Sequence, residues 1–184
     1  MDLTSYLMGK NAGGGGGSPT YTLTYGTQAA PGWHKIMEQV DEITVTGTSC
    51  TYLFYGCKAT KLPKVKGTET IKNLSYMFAN CSNLKKVDLS KNTFGAISSV
   101  FNMFGSCSKL AVIDISSIDI SDLSSSSSIA GIFSSTGSNC STADGAYADK
   151  IPYVYVKNSA MQNWVLNTAS PPSSWTTDNV VIKS

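Results

Sequence analysis

Residues 77–90 read MFANCSNLKKVDLS and residues 103–116 read MFGSCSKLAVIDIS, so the two stretches are close to superimposable. Outward from this pair, the same opening recurs as Leu53-Phe54 and as Ile132-Phe133, and the Phe-to-Phe steps are 24, 26 and 29 residues. Three residues after each Phe comes Cys57, Cys81 or Cys107, and in the last copy Thr136. The first three copies continue with a Leu and an aliphatic residue three further on: Leu62 and Val65, Leu84 and Val87, Leu110 and Ile113. Ile43-Thr44-Val45 upstream and Val154-Tyr155-Val156 downstream read as further strands.

One copy alone cannot enclose its apolar face, whereas stacked copies turn the Phe, Leu and Val positions into continuous columns. A period in the twenties, with one short strand and a Leu ladder per copy, predicts an α/β fold. Its architecture is expected to be a short leucine-rich-repeat solenoid with a parallel β-sheet. Short helical turns built from the Met-Phe-x-x-Cys segments would lie on the other face, and both ends would be capped. The repeats span 43–150, interrupted by a Ser-rich loop, with an N-terminal cap over 19–42 and a C-terminal cap over 151–184. The Ser-rich stretch 121–128 and residues 136–150 depart from the repeat and are expected to form surface loop.

The N-terminus has its own organisation. Gly13 to Gly17 and Ser18 form a glycine linker over 13–18, a flexible tether because glycine restricts the backbone least. Before it, residues 1–12 place Leu3, Tyr6 and Leu7 on one face of a helical turn too short to persist alone in water. They read either as a docking peptide that orders on a partner or as a frayed end. Within 19–42, Tyr21-Thr22-Leu23-Thr24-Tyr25 alternates as a strand does. Trp33, Ile36, Met37 and Val40 then share a helix face that His34 does not join.

Composition narrows the function. Charged residues are 14% of the chain and the net charge is +2, too thin a field for nucleic-acid binding by phosphate neutralisation. No run approaches the roughly 18 apolar residues of a membrane helix, and no secretory signal is expected at the N-terminus. A single His argues against His-dependent catalysis, and no nucleophile elbow, phosphate loop or dinucleotide fingerprint is present. Neither a cofactor nor a metal is expected. The five cysteines contain no Cys-x-x-Cys pair. The three in phase would stack one per copy as small buried hydrophobes, whereas zinc needs ligands converging on one point.

Strand alternation assigns an outer sheet face. It carries Lys64, Lys66, Lys86, Asp88, Asp114, Tyr153 and Tyr155 as candidate ligand-binding residues. Mixed charge running into two tyrosines suits carbohydrate or protein, and equally suits a merely solvated face. Asp88 and Asp114 hold equivalent positions, so they are expected to be exposed carboxylates stacked on neighbouring strands, as acceptors for sugar hydroxyls, partners of Ca²⁺, or simple solvated positions. Nothing beside them would raise a carboxylate pKa for acid–base work, and no catalytic residue is expected. Trp164 and Trp175 flank Pro171-Pro172 and are expected to cap the last copy.

The pattern [LM]-F-x-x-C-[SK]-x-L-x-x-[VI]-D-[LI]-S resembles the BspA-like leucine-rich repeats of bacterial surface proteins over roughly residues 43 to 184, most strongly over 74–116. The tail VYVKNSAMQNWVLN with PSSWTTDNVVIK is similar to the closing strand, helix and strand of such domains. The opening MDLTSYLMGKNA before polyglycine resembles the N-terminus of prophage tail or appendage proteins of Gram-positive hosts. The resemblance implies a non-enzymatic recognition or structural module located in a virion, binding host-surface glycan or protein and other virion proteins through its N-terminal peptide. A homo-oligomer is compatible with that role, though nothing in the sequence encodes one. The alternative is a bacterial cell-surface adhesin.

Overall fold

The computed structural model describes residues 21–24 and 42–183. The docking peptide with Leu3, Tyr6 and Leu7, the glycine linker, and most of the 19–42 cap with His34 lie outside the described residues. The protein is α/β, with parallel sheets and few helices. The strands are β1 (Tyr21–Thr24), β2 (Glu42–Thr46), β3 (Lys64–Lys66), β4 (Lys86–Asp88), β5 (Val112–Asp114), β6 (Tyr153–Val156) and β7 (Val180–Ile182). Helix α1 is the single turn Ser126–Ile129 and α2 is Ser159–Asn167.

The strands form two sheets, β1-β2-β3 and β4-β5-β6-β7, and every pairing within them is parallel. Val87 lies opposite Ile113, and Ile113 opposite Val154, so equivalent positions of successive copies are cross-strand neighbours. The strand anticipated near residue 21 does not stand apart from the others, since Tyr21 pairs with Ile43 in the register that Ile43 keeps with Val65.

The Phe column has the expected geometry. Ring centroids lie 5.5 Å apart from Phe54 to Phe78, 5.5 Å from Phe78 to Phe104 and 5.9 Å from Phe104 to Phe133. Trp175 closes the column on Phe133 at 4.9 Å. Trp164 is also buried and donates its indole N–H to the Leu123 carbonyl at 2.6 Å. In α2, Met161, Trp164 and Val165 form the buried face, and the Asn158 carboxamide caps the first turn by accepting from the Met161 N–H.

The segments opposite the strands are not helical, contrary to the sequence expectation. Each is a run of tight turns with two left-handed residues, at Phe−2 and Phe+2: Tyr52 and Gly56, Tyr76 and Asn80, Asn102 and Ser106, Gly131 and Ser135. Alternate N–H groups bond locally, as from Leu53 to the Cys50 carbonyl and from Tyr55 to that of Tyr52. The intervening ones reach the next copy, as from Tyr52 to Ser75, Phe54 to Met77, Tyr76 to Phe101 and Phe78 to Met103. A helix would spend all of these donors within one copy. Alternation leaves half of them to tie copy to copy, at a cost of about 1–2 kcal/mol for each non-glycine residue held left-handed.

The same ties explain the cysteines. All five are buried thiols. Cys81 Sγ donates to the Phe54 carbonyl at 3.0 Å and Cys107 Sγ to the Phe78 carbonyl at 2.9 Å. Thr136 Oγ1 makes the equivalent bond to Phe104 at 2.8 Å, so Thr replaces Cys without loss of the donor. The end of the Ser-rich stretch, expected as loop, enters this ladder, since Ser128 accepts from Val100, and the fourth copy continues it with Ala130, Ile132 and Ser134 accepting from Asn102, Phe104 and Ser106. Beyond it, residues 137–150 do run across the surface, held by a Lys85–Asp144 ion pair at 2.6 Å.

Candidate functional site

Cross-strand register brings most of the anticipated outer-face residues together in two rows. One row runs Lys86, Val112, Tyr153, and the other Asp88, Asp114, Tyr155, Val181. Tyr153 and Tyr155 stack with centroids 5.9 Å apart, and Tyr147, from the 137–150 segment, packs edge-on against Tyr153 at 5.5 Å. Lys64 and Lys66 lie on β3, in the other sheet, where Lys66 pairs with Glu42 at 2.9 Å.

Asp114 corrects the sequence reading. It is 4% exposed, not a solvated acceptor. One carboxylate oxygen accepts from the Ser116 N–H and hydroxyl, at 3.1 and 2.6 Å. The other takes Lys183 Nζ at 2.5 Å. Lys183 follows β7 by one residue and reaches back over Tyr155 to β5, so its ammonium supplies the positive charge that an ion between the stacked carboxylates would bring. Asp114 raises the Lys183 pKa through this bond, and Asp88 adds to it. Burial of Asp114 by a residue 69 positions away is invisible to strand alternation.

The Asp-x-Ser step is a repeated local device. Asp88 accepts from Ser90 and Asp119 from Ser121 in the same manner as Asp114 from Ser116; at Asp88 and Asp114 this turns the chain at the end of β4 and β5, and at Asp119 it turns the segment that follows β5. At Asp88 burial pushes the pKa up, but the Ser90 bonds and Lys86 outweigh it and hold the carboxyl below its usual value. At Asp119 the Ser121 hydroxyl, opposed by desolvation and joined by Lys157, does the same. Depressed folded pKa values stabilise above the unfolded carboxylate value of about 3.9, and that contribution is lost as pH falls through the folded values. The melting temperature is therefore expected to drop on acidification below about pH 4, and the acid drop should be smaller in Asp88→Asn and Asp119→Asn. An ionised Asp88 beside an Asp114 paired with Lys183 offers a hydrogen-bond acceptor and has no proton to donate at neutral pH.

Burial pushes the Cys50 thiol up to about 12, and raises Cys140 as well. Cys81 is raised by the neighbouring Cys107 thiol and by desolvation. Such thiols are poor nucleophiles and poor metal ligands. Among the described residues no group of three His, Cys, Asp or Glu is arranged to hold a metal ion, and no helix is long and apolar enough to cross a membrane.

The structure adds two features that the sequence reading missed. On the turn face, Tyr52 and Tyr76 stack at 4.7 Å, with Tyr55 against both rings and Phe101 beyond. Their signal was available, since Tyr52 and Tyr76 share the Phe−2 position. On the strand face, β3 and β4 do not pair, and a cleft of about 450 Å³ opens between them. Lys61 and Lys91 stand at this cleft with Lys64, Lys66 and Lys86. Neither a protein-family model, nor a curated protein, nor a solved structure matches the chain.

Proposed function

We propose that this chain is a non-enzymatic recognition module, a short leucine-rich-repeat solenoid that binds host-surface glycan or protein through its outer sheet face and serves as a phage or prophage tail appendage. The observation that carries the binding role is the pair of cross-strand rows, in which Lys86 and Asp88 lie two strands from the stacked Tyr153 and Tyr155, across Val112 and Asp114 of β5. A rigid parallel sheet fixes such side chains before the ligand arrives, so little ordering entropy is lost on binding. The solenoid reading is supported by ladders on both sides of the copies, parallel strands on one and inter-copy turn bonds on the other. The phage setting rests on the resemblance of residues 1–12 and the polyglycine tether to appendage proteins.

The test is binding of the fluorescently labelled protein to a glycan array and to intact Gram-positive cells. Tyr155→Ala is expected to weaken capture while changing stability by no more than about 1 kcal/mol, because Tyr155 is half-buried on an open face. Undiminished capture by this variant contradicts the assigned face, and turnover of an arrayed glycan contradicts the non-enzymatic reading.

A further inference from the structure

We propose that the cleft between β3 and β4 receives an extended acidic segment of a partner protein, inserted as a strand between the two sheets. This rests on the recognition reading and names a partner class for the same face.

Two sheet edges meet there without pairing. Flanking β4, Lys85 and Leu89 direct their backbone groups to β5: the Lys85 carbonyl accepts from Ala111 and Val112, and the Leu89 N–H donates to the Asp114 carbonyl. Strand alternation therefore turns the N–H and C=O of Lys86 and Asp88 toward β3. Across the gap, the Val65 carbonyl accepts from the Asn92 carboxamide at 2.7 Å, a side-chain bond that the backbone of an inserted strand would replace. The turn side of these copies remains closed, with Phe54 stacked on Phe78 at 5.5 Å, so the gap is a wedge open on the strand side. Its opening shows in the packing. Leu62 and Val65 are half-buried, whereas their counterparts Leu84 and Val87 are 0% and 3% exposed.

The lining fits an alternating strand. The half-buried Leu62 and Val65 form an apolar floor above the buried Phe54 and Phe78, and the rim holds five lysines, of which Lys66 is paired with Glu42 at 2.9 Å and Lys86 with Asp88 at 3.3 Å, leaving Lys61, Lys64 and Lys91. In a chain whose net charge is only +2, this is a strong local excess of positive charge. A strand sends successive side chains to opposite faces, so apolar residues would enter the floor while acidic ones meet the lysines. Backbone edges supply directional bonds and the pockets supply side-chain selection, as in recognition by strand addition. A glycan would leave the strand edges unused, and a free phosphate the apolar floor.

The experiment titrates the full chain into fluorescein-labelled Glu-Val-Glu-Val-Glu-Val and follows anisotropy. Saturable binding is expected, weakened about tenfold or more by Lys64→Glu combined with Lys86→Glu. Both lysines are exposed, so the variant should keep its melting temperature. A peptide N-methylated on alternate residues, which keeps the charges but removes strand donors, should bind far more weakly. Equal binding of Lys-Val-Lys-Val-Lys-Val, equal binding of the N-methylated peptide, or no binding at millimolar concentration overturns the proposal. Competition by heparin oligosaccharide that the N-methylated peptide matches would reassign the cleft to a simple anion site. If the peptide fails while Tyr155→Ala still reduces cell capture, the cleft proposal falls alone. If the peptide binds while neither cells nor glycans are captured, the host-surface reading falls and the cleft stands.

Discussion

Phe78→Ala is expected to lower stability by about 3–5 kcal/mol, the range for removing a buried aromatic side chain. Phe78 is 2% exposed and stacks on Phe54 and Phe104 at 5.5 Å each, so the substitution removes two ring contacts and leaves a void in mid-column. Neighbouring copies cannot collapse into that void, because bonds from Phe54 N–H to Met77 and from Phe78 N–H to Met103 fix their spacing. For a chain of this length the loss corresponds to a fall in melting temperature of roughly 6–20 °C, measurable by calorimetry. Phe78→Leu should recover part of it. An unchanged melting temperature for Phe78→Ala would contradict the column.

Asn179→Ala is the second large effect, about 2–4 kcal/mol. Asn179 is fully buried. Its amide donates to the Pro152 carbonyl at 2.9 Å and its carbonyl oxygen accepts from the Thr176 N–H at 2.7 Å, joining the start of β6 to the turn before β7. Alanine leaves the Pro152 carbonyl a buried acceptor unmet, which costs about 1–3 kcal/mol, and also removes the part-buried bond from the Thr176 N–H, worth about 0.5–1.5 kcal/mol. The loss should also loosen β7, which delivers Lys183 to Asp114. Urea denaturation checks this, and a midpoint within error of the parent would contradict the anchoring role.

Much of the fold was legible because the repeat is written in large apolar residues. Phe54, Phe78, Phe104 and Phe133 recur at a readable period, and their column follows from it. The turn geometry was less legible. A Met-Phe-x-x-Cys segment has the composition of a helical turn, and only the left-handed positions at Phe−2 and Phe+2 distinguish it. Tyrosine at Tyr52 and Tyr76 conceals that signal, whereas Gly56, Asn80, Asn102 and Gly131 carry it. The break between β3 and β4 also has a sequence cause. From Phe to the strand centre the first copy counts 11 residues, Phe54 to Val65, where the next two count 9. The two extra residues lie in the corner before Pro63, and the longer corner sets β3 away from β4.

The outer face was legible in outline and misread at one residue. Alternation placed Lys86, Asp88, Tyr153 and Tyr155 on a common face, and the register agrees. It gave Asp114 the same exposure as Asp88, because a strand pattern carries no information about what later chain folds over it. Lys183 covers Asp114 from the far end of the sequence. Tyr147 likewise reaches Tyr153 from a segment with no periodic signal.

The central claim is that successive copies lie directly on one another, and long-range nuclear Overhauser contacts test it most directly. Cross-peaks are predicted between the Phe78 and Phe104 rings, and between the backbones of Val87 and Ile113 and of Ile113 and Val154. Well-resolved spectra in which these pairs give no contacts, while each copy gives its own local ones, would contradict the stacking and remove the shared outer face with it.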